Sequence, residues 1–116
     1  MPIDAQGDRT YRDEIEDTFL LMQENFHALY ERCSTSEQKK HLCDTYSAAR
    51  YACWKVAKQV RPDGWGVDSN ASRDLKIANM QLAAMLQNLD DAGAFLGVAA
   101  EAVRLSALLA SPSADT

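Results

Sequence analysis

A leucine recurs every seventh residue at Leu75, Leu82, Leu89 and Leu96, and Val103 follows in step. Ala71, Ala78, Met85, Ala92, Ala99 and Ser106 interleave with them, so the spacing alternates four and three as far as Ala110. Strict four-three spacing places all these side chains on one stripe of an α-helix, the seam by which a helix packs lengthwise on another. The pattern constrains architecture strongly and carries no chemistry.

Two further stripes precede it. Ile15, Phe19, Met22, Phe26, Leu29 and Cys33 define a first helix over about residues 11–33. Thr10 and Asp13 have the spacing of a capping box, and Asp13, Glu14, Glu16 and Asp17 suit the positive end of its dipole. Leu42, Tyr46, Ala49, Cys53, Val56 and Val60 define a second helix over about 36–61, with Ser34 and Glu37 spaced as its capping box. The short turn between the two implies an antiparallel hairpin. Cys43, Trp54 and Ala57 flank the second stripe and widen its apolar face, as expected of a helix with two neighbours.

Arg61-Pro62-Asp63-Gly64-Trp65-Gly66 is turn chemistry, and Asp68 or Ser69 follows as a cap for the third helical segment, 70–110. As one helix that segment spans roughly 60 Å at about 1.5 Å per residue, which overhangs the hairpin's reach of about 35–40 Å. Alternatively it breaks at Asn88-Leu89-Asp90-Asp91, where an aspartate caps a fourth helix and a four-helix bundle results. The heptad phase runs through this point unshifted, which favours the unbroken helix. The expected fold is therefore all-α: a hairpin against a long C-terminal helix, or a four-helix bundle if the chain breaks near residues 88–91. Residues 1–9 are expected to form a flexible leader, 10–110 one helical domain and 111–116 a flexible tail.

From Gly93 the last segment is apolar nearly all round, as in a buried helix. Gly93, Gly97 and the surrounding alanines would let a neighbouring backbone approach closely. If the helix overhangs, Leu96 and Val103 would meet a second copy of the chain. Ala92–Ala110 also approaches membrane-spanning length. Amphipathic membrane helices carry a lysine- and arginine-rich face, whereas Arg104 is the one basic residue in this stretch, so burial in a bundle is expected in place of stable membrane insertion.

Charge narrows the partners. The net charge is −5, which disfavours nucleic acid. Residues 1–33 hold three basic and eight acidic side chains, 34–61 hold six and two, and 62–116 hold three and seven. A basic middle segment between two acidic ones guides helix pairing more than it stabilises it. The odd cysteine count (Cys33, Cys43 and Cys53) and a polar start unlike an export signal point to reduced thiols and a cytoplasmic setting. A disulfide between Cys33 and Cys43 across the hairpin turn is the weaker alternative.

Candidate chemistry is sparse. Glu24, His27 and Glu31 share the Glu-x-x-His spacing of di-iron bundles, but they lie opposite the Phe19–Met22–Phe26 stripe and face outward. The other histidine, His41, has Gln38 where a glutamate is needed. The cysteines lack zinc-ligand spacing, and Cys33 and Cys53 sit on the seams as small apolar residues. No Gly-x-Ser-x-Gly or phosphate-binding loop occurs. No metal, cofactor or catalytic residue is expected.

The recognition candidates are aromatic. Tyr51 and Trp54 lie one turn apart beside Lys55 and Lys58, either as a recognition surface or with Trp54 packed under the third helix, the reading that weighs more. Trp65 either plugs the end of the core or docks a partner. The expected function is a non-enzymatic interaction or scaffold protein acting through coiled-coil-like packing and self-association. The alternative is a small chaperone or immunity-type protein that masks a protein client. A third reading is a bundle holding an apolar ligand among its small residues.

Overall fold

The computed structural model of the chain describes residues 10–58, 69–89 and 92–111. Among these the chain forms five helices and no strand: α1 (Tyr11–Glu24), α2 (Phe26–Arg32), α3 (Ser36–Ala57), α4 (Ser69–Leu86) and α5 (Ala92–Ala110). The fold is all-α. The leader, the tail beyond Ser111, Val60, the 61–66 turn with Trp65, the cap at Asp68 and the Asp90–Asp91 cap lie outside the described residues.

The first expected helix is two. Thr10 caps α1 in a full capping box: its hydroxyl accepts from the Asp13 N–H, and the Asp13 carboxylate accepts from the Thr10 N–H at 3.0 Å. The helix then breaks at Asn25, whose side-chain amide donates to the Leu21 carbonyl at 2.8 Å while its backbone leaves helical angles at φ −116° and ψ 13°. Asparagine competes for backbone partners in this way, and α2 restarts one residue later. The seam nevertheless continues, with Met22 and Leu29 fully buried on either side of the break.

The cap of α3 sits one residue later than the Ser34–Glu37 spacing implies. Thr35 accepts from the Gln38 N–H at 3.0 Å, and Gln38 Oε1 accepts from the Ser34 N–H at 2.7 Å. The run Ser-Thr-Ser-Glu-Gln satisfies the same pattern in two registers, so the spacing alone does not choose between them. Phe26 packs on Tyr46 with ring centroids 5.2 Å apart, and Phe19 stacks on Tyr46 at 5.7 Å, which ties α1 and α2 to α3.

The long C-terminal helix is not present as one element. The segment ends as α4 at Leu86, tightens through bonds from Gln87 to Ala84 and from Asn88 to Met85, and resumes as α5 at Ala92. The alternative break near residues 88–91 is the observed one, and with the break at Asn25 it gives five helices in place of the four expected. The heptad phase misled because both halves turn the same stripe toward one core. Leu75 and Leu82 on α4 and Leu96, Ala99 and Val103 on α5 are all buried, with Met85 and Leu89 half-buried between them.

Burial explains why the segment folds back. The α5 helix carries apolar residues all round and packs against each of α1, α2, α3 and α4. By length and composition it is apolar enough to cross a membrane, and half of it is covered by its own bundle. Among the described residues α3 and α4 do not touch, so they occupy opposite corners with α1 and α5 between them. Arg12 of α1 donates to the Val56 carbonyl near the end of α3, and Lys55 of α3 reaches Ser111 just beyond α5. These contacts set α3 antiparallel to α1 and parallel to α5.

A buried polar knot joins α1 to α4. The Thr18 hydroxyl donates to Asn79 Oδ1 at 2.6 Å, and the Asn79 amide donates to the Glu14 carbonyl at 2.9 Å and the Glu14 carboxylate at 3.1 Å. All three residues are buried. A buried network with its partners in place fixes which residues face one another, a register that an apolar stripe leaves free to slide.

Two outcomes test this arrangement. In a cysteine-free background, spin labels at Asp74 and Arg104 would lie roughly 45 Å apart on an unbroken helix. On adjacent helices with axes about 8–10 Å apart they are close neighbours, and pulsed electron resonance is expected to report the short distance. Asn79→Ala strands the Thr18 and Glu14 groups and is expected to cost about 1–3 kcal/mol in urea unfolding.

Candidate functional site

The residues singled out from sequence do not form one site. Leu96 is 2% exposed and Val103 8%, both inside the bundle. They were expected to meet a second chain because an unbroken helix would overhang. With α5 folded back, that surface is consumed within the chain. Gly93 is half-buried. Gly97 is exposed, and among the described residues a β-carbon there would meet nothing within 4 Å, so none of their backbone approaches it closely. The α5 alanines at 92, 99, 102 and 110 are buried in the bundle.

Tyr51 and Trp54 come together at the surface of α3. Tyr51 is 60% exposed and Trp54 55%, so Trp54 does not pack beneath a neighbouring helix. Cys43 and Ala57, expected to widen the buried face, are exposed as well. Helical spacing explains the outcome. The stripe Leu42–Ala49–Val56 faces the core, and residues 47, 51 and 54 occupy the opposite side.

The exposed aromatics are ordered by local contacts. Their rings stack with centroids 5.8 Å apart and planes inclined by 27°. The Lys58 ammonium lies 4.9 Å from the Trp54 ring centroid, within cation–π range. Ser47 and Arg50 complete a shallow hollow of about 280 Å³ with the two rings. A pre-stacked pair of rigid aromatics loses little conformational freedom when a partner covers it.

A second surface went unread in the sequence. A groove of about 420 Å³ runs between α1 and α4, with Leu20, Leu21, Met80 and Ala83 among its lining. Asp17, Glu24 and Lys76 stand at it too, and Glu14 and Asn79 of the polar knot reach its wall. The available signals were Leu20 and Leu21 outside the first stripe, and Ile77 and Met80 three residues apart outside the third. Ile77 and Met80 are both exposed.

The remaining candidates are single features. His27 pairs with Glu31 at 3.0 Å in the open, their side chains 88% and 65% exposed. Among the described residues no three His, Cys, Asp or Glu side chains converge as metal ligands. The three cysteines are free thiols: Cys33 is buried and donates to the Leu29 carbonyl, Cys43 is exposed and Cys53 is half-buried. Burial pushes the Cys53 thiol up, and the Glu16 carboxylate pushes it the same way.

No protein-family model matches the chain, and neither does any curated protein or solved structure.

The thiolate is the reactive form, so a raised pKa leaves less of it at any given pH. At pH 8 a disulfide reagent is expected to modify Cys43 first and Cys53 well behind it. The Cys53 rate should keep rising with pH beyond the ordinary thiol range, as a variant retaining Cys53 alone would resolve.

Proposed function

We propose that this chain is a non-enzymatic helical interaction protein that binds a protein client through the Tyr51–Trp54 face of α3. The observation that carries the reading is that pair, stacked, cation-flanked and more than half exposed on both members. Tyrosine, tryptophan and arginine dominate the energetics of protein interfaces, and Arg50 stands beside the two rings. Neighbouring basic side chains favour a client that presents acidic residues to this face. Three free thiols fit a reducing, cytoplasmic setting.

Self-association through α5, the other reading of the same interaction class, draws less support because Leu96 and Val103 are buried in the chain itself. The groups on the α3 face bind and orient a partner.

The test begins with the product of the adjacent gene as first candidate client, purified and titrated against the chain by calorimetry. The Tyr51→Ala/Trp54→Ala variant is expected to keep the wild-type helical spectrum and thermal midpoint. Loss of two exposed hot-spot aromatics should weaken client binding by roughly tenfold or more. Equal binding by both forms, or a dimer of the chain alone that this variant dissociates, would overturn the client reading.

A further inference from the structure

We infer that the groove between α1 and α4 is a second docking site, shaped for a cationic amphipathic helix of a partner protein. This inference stands apart from the α3 face.

The floor is aliphatic. Leu20 and Leu21 of α1 are half-buried, and Met80 of α4 is 63% exposed. Methionine is flexible and polarizable, which suits it to surfaces that mould around an incoming side chain. Two adjacent helices present ridges and a groove into which a further helix packs by its i, i+3, i+4 and i+7 anchors.

Charge selects the occupant. Two carboxylates, Asp17 and Glu24, stand at the rim against one ammonium, Lys76, while the Glu14 carboxylate is buried in the polar knot. Asp17 and Glu24 are spaced seven residues apart along α1, so they flank the Leu20–Leu21 floor on either side in sequence. An incoming helix with leucine-like anchors and lysines or arginines at its margins would satisfy both the floor and the rim. An acidic or neutral helix would satisfy the floor alone.

A second copy of this chain is a poorer occupant. Each copy carries a net charge of −5, so copies repel. The chain's own basic aromatic face lies on α3, which does not touch α4 among the described residues and sits at the opposite corner of the bundle. Seating it in a neighbour's groove makes a head-to-tail contact, which yields an open chain unless the rotation closes a ring. The polar knot of Glu14, Thr18 and Asn79 holds the groove's walls together without a partner, so the site is formed in advance.

The probe is a synthetic leucine–lysine amphipathic peptide of about five helical turns, with its leucine–glutamate counterpart as control. Both are titrated into the full chain by calorimetry at low and high salt. The cationic peptide is expected to bind one to one with micromolar affinity that falls as salt rises, and the anionic peptide to show no binding. Met80→Lys replaces an exposed apolar anchor by a like charge and is expected to weaken binding at least tenfold with the helical spectrum unchanged. Asp17→Asn/Glu24→Gln should weaken binding and flatten its salt dependence. Glu31→Gln, exposed on α2 outside the groove, and Tyr51→Ala/Trp54→Ala on α3 should bind as wild type does. Equal affinity for the two peptides, or wild-type affinity in Met80→Lys, would overturn the assignment. Self-association of the chain alone that Met80→Lys abolishes would also overturn it, by giving the groove to a second copy.

Discussion

The structure depends on the burial of α5. Its apolar side chains point in most directions, so no single neighbour can cover it, and water contact on any open side is costly. The chain meets that demand by placing every other helix around it. Phe95, Leu96, Ala99 and Ala102 are essentially fully buried as a result. The break after α4, the approach of α3 to α5, and the diagonal separation of α3 from α4 all serve the same requirement.

Within that frame the surfaces divide by charge. The outer side of α3 holds stacked aromatics beside Arg50 and Lys58, whereas the α1–α4 groove holds aliphatic side chains beside carboxylates. One face has rigid rings and basic neighbours, the other an unbranched, adaptable methionine and acidic neighbours. Their placement on different helices of the bundle suits a protein that meets partners of opposite charge, which is how the two proposals fit together.

Much of the core was legible as pattern. Ile15, Met22, Leu29, Leu42, Ala49, Val56, Leu75 and Leu82 were all named from four-three spacing, and all are buried. The Thr10–Asp13 capping box was equally legible, because its two partners lie in one turn of chain. Trp54 was misplaced because residue type argues for burial, whereas its angular position on α3 puts it opposite the core stripe. The groove was missed because its walls come from segments some sixty residues apart, and nothing local to Leu20 announces Met80. The Asn79 knot is hidden for the same reason: its Thr18 partner is 61 residues away.

By itself the sequence determined that the chain is helical, which stripe of each helix faces inward, and that the last nineteen-residue helix needs cover on most sides. Those properties follow from local periodicity and residue chemistry. Only the tertiary structure decided whether residues 70–110 run on or turn back, since a seven-residue repeat reads the same on one long helix and on two that face a common core. That choice rests on the free energy of surrounding α5, a sum over all the helices that touch it. It also settled which apolar residues stay exposed: Leu96 and Val103 went inside, and Tyr51, Trp54 and Met80 remained in water.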